Sequence, residues 1–500
     1  MNNKKVWRHK NKSEIPQGRT LVSSRWVFVI KKDNTYRARL VARGYTQIPG
    51  VDYTENYAPV MQDATLRLLL MLWAKNNLES MVFDVETAFL YGELEEEIFM
   101  RVPEGYRECG YKISEDEVLE LLMAIYGLIQ AARQWWKKFM TLLEDIGFER
   151  SLADPCLVKR ENKTTGKIIY LGVHVDDASC IGNGTEIKKA LEELKTKLTI
   201  KELGTFDKYL GCEVIRKDEK VWITQNALIK KLETKFGPKI MHLPIFEVPA
   251  TAGTSLQRTK DEDEILDEEE HKNFRSGVGI LLYLVKNSRP DIANAVRELT
   301  KVMDKPNTAH LQALHKTLKY VVDTKNRSIC FDTNWKNVES NWELGSYSDS
   351  TYASDPDKKV SVTGYIILLE GMLLAWKSRG QKSVTLSSTE AEYVAASETC
   401  QEMMAILQII EFLDIKIKYP MIVRIDNVGA IYLANNQTVN GRTRHVNIRY
   451  HFVRQLIEDG TVKVEFVRSK ENKADAWTKN LDANLFHKHV DSYVTEFPSK

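Results

Sequence analysis

Short apolar runs end on carboxylates in two separated parts of this 500-residue chain. The first set pairs "MVFDVETAFLYG", where Asp84 closes an apolar run, with "IIYLGVHVDDASCIG", where Asp176 and Asp177 lie between two such runs. The second is spread over "YSDST", "SSTEAEY", "VRIDN" and "NKADAW", giving Asp349, Glu390, Asp426 and Asp475. Carboxylates converging from strand ends are the ligand set that hard divalent cations take beside phosphates. The pattern implies two metal-dependent phosphodiester sites in tandem. "VDD" alone also suits a hairpin turn, since Asp favours turns.

The length allows two to four domains. A hydrophobic fraction of 43% and a charged fraction of 28% exclude disordered and fibrous classes. The net charge of +2 hides an uneven distribution, because residues 1–50 carry twelve Lys or Arg against two acidic residues. Six cysteines stand singly without C-x-x-C spacing, which argues against a zinc knuckle or a disulfide scaffold and for a reducing compartment. Runs such as "VGILLYLV" fall far short of a bilayer span of about 20 residues, so no membrane partner is expected. The expected location is intracellular, cytoplasmic or nuclear.

The clearest break is residues 243–270, where Pro244 and Pro249 interrupt regular structure and an acidic run follows. Helical periodicity then continues to about residue 340. From 343 the order is three strands, a long helix, a strand, a short helix, a basic helix, a last strand and a final helical stretch. That order suits a ribonuclease H fold with all four carboxylates over one sheet edge. The fold class expected overall is α/β, with α+β fingers and palm, a helical connection and a mixed α/β nuclease. The expected boundaries are 1–250, 251–342, 343–482 and a C-terminal tail at 483–500.

The chain resembles the reverse transcriptase plus ribonuclease H region of copia-type long-terminal-repeat retrotransposon polyproteins. The resemblance rests on ordered motifs, among them "FDVETAFLYGELEEEIFM", "IYGLIQAARQWW", "HVDDASCIG", "YLGCEV", "SRPDIANAV", "AWKSRGQKSVTLSSTEAEY", "RHVNIRYHFVR" and "KADAWTKNL". It implies an RNA-directed DNA polymerase acting on RNA template, DNA primer and dNTP, followed by a nuclease that cuts RNA in an RNA–DNA hybrid. Two Mg2+ (or Mn2+) ions per site are implied, held by Asp84, Asp176 and Asp177 in one and by Asp349, Glu390, Asp426 and Asp475 in the other. Nucleocapsid, protease and integrase parts are missing from the motif series, which fits a fragment of an integrated element.

Further residues carry implied roles. Phe89 stands where the family has an aromatic residue under the sugar, and serves equally as a core residue beside Leu90 and Val85. Lys32, Arg37 and Arg39 alternate along a probable hairpin that suits triphosphate binding or a solvated edge. Gln130 resembles a residue touching the incoming nucleotide, and Gly211 lies in the "YLGCEV" hairpin that resembles a primer grip. Glu390 also completes a capping box with Ser387, which leaves Glu392 as the alternative ligand. His445 and His451 sit among arginines and read as part of a basic segment rather than a metal pair. His174, Ala178, Ile129 and Ala132 depart from the family pattern without removing a carboxylate, which fits a variant enzyme or a drifted copy that binds nucleic acid without copying it.

Overall fold

The computed structural model describes residues 4–31, 34–111, 113–260, 264–334, 341–435 and 447–498. It is a mixed helix and sheet structure of two compact units. The first comprises Met1–Gln62 and Leu78–Thr205, the second Asp63–Asn77 and Phe206–Lys500. Among the described residues, no helix is long and apolar enough to cross a membrane, and all six cysteines are free thiols.

The first unit is organised by a six-stranded antiparallel sheet. Its order is Ile200–Gly204, Glu79–Val85, Asp177–Gly182, Lys167–His174, Leu157–Asn162, Glu149–Arg150. Helix Gly184–Lys195 buries Ile187, Ala190, Leu191 and Leu194, the i, i+3, i+4, i+7 stripe of an amphipathic helix, against three of these strands. Helix Ala131–Asp145 buries Trp135, Phe139, Leu142 and Leu143. A second sheet orders Trp7–Asn11, Glu117–Met123, Glu93–Met100 and Leu21–Val22 around a cluster that includes Val6, Leu40, Ile98, Met100 and Leu121. Ser24–Ile30 and Tyr36–Ala42 form a separate two-stranded ribbon.

In the second unit, helix Asp63–Lys75 is buried almost all round. Its Arg67 donates to the carbonyls of Leu374 (2.9 Å) and Lys286 (2.7 Å) and lies 3.9 Å over the Trp376 ring. Burial pushes this guanidinium down to about 10. Helices Asn226–Ile240, Glu268–Asn287, Ala293–Thr300 and Thr308–Asp323 pack on one another. They accompany a sheet ordered Lys208–Tyr209, Cys212–Lys217, Lys220–Thr224, Arg327–Asp332, Val494–Glu496. Within them Arg289 and Asp291 form a fully buried ion pair at 2.7 Å, with the Tyr320 hydroxyl donating to the same carboxylate at 3.0 Å.

The C-terminal sheet has the order Met372–Gly380, Val362–Leu369, Leu344–Thr351, Met421–Ile425, Val462–Phe466. The first two pairings are antiparallel and the last two parallel. Every residue of Val362–Leu369 is buried, as expected of a strand covered on both faces. Helix Ser388–Phe412 packs against it and its neighbour. Strand and helix order match the expectation from residue 343 onward.

Two expected boundaries need correction. The compact break falls at Thr205 rather than near residue 250, because Lys220–Thr224 hydrogen-bonds to Arg327–Asp332 more than a hundred residues later. Residues 483–500 are not a plain tail: they hold helix Ala483–Val490 and strand Val494–Glu496, which pairs with Arg327–Asp332. Phe486, Val490, Tyr493 and Val494 are at most 4% exposed, and the Tyr493 ring lies 5.9 Å from that of Trp477. Each such apolar side chain contributes about 1.5–3 kcal/mol on burial. Truncation after Asp482 is therefore expected to lower the unfolding free energy of the second unit by several kcal/mol, read as a lower midpoint in a denaturant titration; an unchanged midpoint would contradict this packing.

Candidate active sites

The first carboxylate set forms at one end of the six-stranded sheet. Asp84 and Asp177 are register partners across strands Glu79–Val85 and Asp177–Gly182. Asp176 sits in the two-residue turn after the closing pair His174–Asp177. That turn explains how adjacent aspartates lie close to each other and to Asp84, since Asp176 is released from the strand alternation that would send it to the opposite face. Val175 adopts φ +61°, which is strained for a β-branched residue. The turn is held from both sides: the Trp135 indole donates to the Val175 carbonyl at 2.6 Å, and the Val85 amide donates to the Asp176 carbonyl at 3.1 Å.

The three carboxylates act on one another. Burial first, then the charges of Asp176 and Asp84, push Asp177 up to about 6. Asp84 is raised by burial and by Asp176, while Arg37 and Lys201 pull it back. Arg39 lies 5.1 Å over the Tyr126 ring, whose centroid is 4.8 Å from that of Phe89. The Arg39 Nε is buried without a hydrogen-bond partner among the described residues. Arg37, Arg39 and Phe89 thus gather near the acidic trio around Tyr126, a residue the sequence reading did not single out. Phe89 is half-buried against the apolar cluster, so its core role is present as well. Lys32 lies outside the described residues.

Gln130 is fully buried, accepting from Gln47 Nε2 (3.0 Å) and donating to the Asp52 carbonyl (3.0 Å). Its amide pins the 47–52 loop to the start of helix Ala131–Asp145 and also reaches Glu96 at 3.4 Å. Gly211 (φ +72°) and Leu210 (φ +50°) form the tight turn between Lys208–Tyr209 and Cys212–Lys217, where left-handed backbone favours glycine. Tyr283 braces it by donating to the Leu210 carbonyl at 3.0 Å. This turn belongs to the second unit.

The second set lies at the C-terminal sheet. One carboxylate oxygen each from Asp349, Glu392 and Asp426 lie within 4.8 Å of one another. Glu390 caps its helix. Its amide donates to Ser387 Oγ (3.1 Å) and its carboxylate accepts from the Leu386 amide (2.7 Å), whereas Glu392, two residues round the helix, is 6% exposed and faces Asp349. Asp475 arrives through the turn Lys473–Trp477, which lies against Gly364. A Cβ there would come within 2.5 Å of Thr478 and 2.9 Å of the Trp477 backbone. Gly364 is the register partner of Asp349, so the missing side chain lets Asp475 approach it. Lys479, also missed in the sequence, lies 3.0 Å from Asp475 and 3.7 Å from Asp349. Thr478 donates to Asp349. His445, with Arg442 and Arg444, lies outside the described residues, and Arg454 is spent on the Leu433 carbonyl.

Burial, then Asp349 and Asp426, push Glu392 up to about 9; burial and Asp349 push Asp475 up to about 7. A carboxyl raised in the folded state contributes stability below its ordinary range, and that contribution is lost as pH climbs through the raised value. The metal-free second unit should therefore weaken between about pH 4.5 and 9. Glu392→Gln removes the buried charge. In thermal unfolding with chelator present, its advantage over the parent is expected to widen from pH 5.5 to 8.5, by about 2–4 °C per kcal/mol; a gap independent of pH would contradict the placement of Glu392.

With this geometry in place, comparison with known proteins is specific. The family model "Reverse transcriptase (RNA-dependent DNA polymerase)" matches residues 4–241. The Retrovirus-related Pol polyprotein from transposon TNT 1-94 of Nicotiana tabacum is 34% identical over 486 residues, covering 95% of this chain and 35% of that protein. The corresponding polyprotein from transposon RE1 of Arabidopsis thaliana is 33% identical, covering 97% and 32%. A transposon Ty5-1 protein of Saccharomyces cerevisiae is 30% identical over 64% of this chain and 100% of its own length. A solved foamy viral protease-reverse transcriptase in complex with RNA/DNA hybrid aligns over 91% of this chain and 51% of that one, with TM-score 0.45 and 12% identity. The chain spans about a third of the length of the plant relatives. It belongs to the reverse transcriptase family of copia-type retrotransposon polyproteins.

Proposed function

We propose that this chain is an RNA-directed DNA polymerase whose C-terminal part cleaves RNA in RNA–DNA hybrids, with a separate divalent-cation site for each reaction. The observation that carries this reading is the presence, in one chain, of two carboxylate clusters: Asp84 and Asp177 paired across neighbouring strands with Asp176 in the adjoining turn, and Asp349, Glu392 and Asp426 with oxygens within 4.8 Å of one another. Carboxylates crowded in this way are relieved by a cation among them, and all their donors are oxygens suited to Mg2+ or Mn2+. Asp84, Asp176 and Asp177 would hold the ions of the polymerase. Asp349, Glu392, Asp426 and Asp475 would hold those of the nuclease. Bound in pairs, such ions neutralise charge on the attacking and leaving oxygens of a phosphodiester in an in-line displacement.

The chain's own residues supply the rest. Arg37 and Arg39 bring positive charge beside Asp84 and Tyr126, which suits the triphosphate of a dNTP, and the unpartnered Arg39 Nε offers it a donor. Phe89 and Tyr126 form an aromatic wall near the same carboxylates, where a sugar lacking a 2′-hydroxyl would fit. Trp135 fixes the height of Asp176 by gripping its turn. In the nuclease, the Ser350 amide orients Glu392 by donating to it at 3.1 Å, and Lys479 keeps Asp349 and Asp475 together. The exposed Gly211 turn would approach the primer backbone.

The decisive test measures primer extension on an RNA template beside cleavage of a labelled hybrid. Asp84→Asn is expected to reduce extension by about a hundredfold or more while hybrid cleavage persists, and Asp426→Asn to do the reverse, since each removes a charge that the metals need. Loss of both activities in either variant, or of neither, would overturn the two-site reading. Trp135→Phe keeps the ring that stacks on Phe139 at 4.9 Å but loses the bond to Val175. It should cost about 1–3 kcal/mol of stability, from the lost bond and the smaller ring in a buried site, and raise the Mg2+ concentration needed for half-maximal extension; an unchanged metal requirement in the folded variant would remove Trp135 from the site.

A further inference from the structure

A cavity of about 880 Å³ opens among the helices of the second unit, lined by residues of Asn226–Ile240, Ala293–Thr300 and Thr308–Asp323. It contains none of the acidic residues of either candidate active site. Its walls differ sharply. Leu243, Phe246, Leu256, Leu299 and Leu311 supply an apolar surface, whereas Lys239, His242, His315 and Lys316 supply a basic one.

Among the described residues, none of these four side chains forms an ion pair with a carboxylate. Lys316 donates to Thr251 Oγ1 at 3.0 Å and stands 5.1 Å over the Phe246 ring. His315 Nε2 is buried without a hydrogen-bond partner, and burial together with the charges of Lys239 and His242 pushes the His315 imidazole down. Of the two acidic residues lining the cavity, Glu298 is already held by Arg297 and Lys301, at 2.5 Å and 2.8 Å. Glu270 lies in the first turn of helix Glu268–Asn287, where the helix dipole accommodates it. Lys239 is exposed at the mouth and Lys316 half-buried, where burial alone pushes its ammonium down; an anion beside Lys316 would favour the charged form that burial disfavours.

We propose that this cavity is a binding site for a small anionic ligand, a phosphate or carboxylate head on an apolar or aromatic body. The head would sit between Lys239 and Lys316, and the body against Phe246 and Leu299. A volume of this size is typical of small-molecule sites that combine an apolar lining with a few polar groups. A nucleotide and an alkyl phosphate share this chemistry, and the probes below separate them.

The test is isothermal titration of the full chain, with chelator present so that metals at the carboxylate sites do not draw the probes. 1-Naphthyl phosphate is expected to bind saturably with one site, with inorganic phosphate and 1-naphthol each at least tenfold weaker because each offers half of the required chemistry. Tighter binding of adenosine monophosphate than of octyl phosphate assigns the body as a nucleobase; the reverse assigns it as an alkyl chain. Lys239→Met with Lys316→Met should weaken 1-naphthyl phosphate at least tenfold. Ala313→Phe, which fills the cavity and leaves the charges in place, should abolish its binding. Circular dichroism and the unfolding midpoint of each variant establish that it is folded. No saturable binding to the parent, equal binding to the folded variants, or 1-naphthol binding as tightly as its phosphate would each overturn the proposal.

Discussion

Repulsion between carboxylates that the fold forces together is the constraint on which both ends of this molecule depend. An aspartate leaving a buried strand is costly by itself, and a second one opposite it is worse. Asp177 faces Asp84 across a ladder, and Glu392 and Asp426 share a space with Asp349. Neither arrangement would persist without rigid support. In the first unit that support is a strained turn held by the Trp135 indole and the Val85 amide. In the second it is the absent side chain of Gly364 and the ammonium of Lys479.

The supporting elements show how fold and site are linked. Helix Ala131–Asp145 uses one apolar stripe for the core and, from the same stripe, aims Trp135 at the turn that carries Asp176. Strand Leu344–Thr351 bonds with Val362–Leu369 on one side and Met421–Ile425 on the other. It thereby sets Asp349 beside the strand end that delivers Asp426. Helix Ser388–Phe412 is started by Ser387 and Glu390, and this cap fixes the rotation that turns Glu392 inward. A capping interaction thus decides which glutamate joins the cluster.

Much of this was legible in the sequence, and what was missed has physical reasons. The strand and helix order after residue 343 could be read because alternation and helical periodicity are local signals. Asp84, Asp176 and Asp177 could be read because each closes an apolar run. The choice between Glu390 and Glu392 could not, since "SSTEAE" supports both a cap and a ligand and only the helix rotation separates them. That the 47–52 loop folds onto Gln130 has no local signal, since its partners Gln47 and Asp52 lie about 80 residues away. The strand Val494–Glu496 was read as tail because its partner, Arg327–Asp332, lies more than 150 residues away and the segment is only three residues long. Trp135 left a signal, a tryptophan pair directly after the "YGLIQAARQ" motif, but its hydrogen bond depends on the tertiary fold.

The central claim is that both clusters are cation sites, and location of bound metal tests it most directly. Crystals of the full chain soaked in Mn2+, with data collected at the manganese absorption edge, would place each ion without reference to activity. The account expects anomalous peaks among Asp84, Asp176 and Asp177 and among Asp349, Glu392, Asp426 and Asp475, with Glu390 remaining on its cap. Peaks at neither cluster, or a manganese ion bound by Glu390 instead of Glu392, would contradict it.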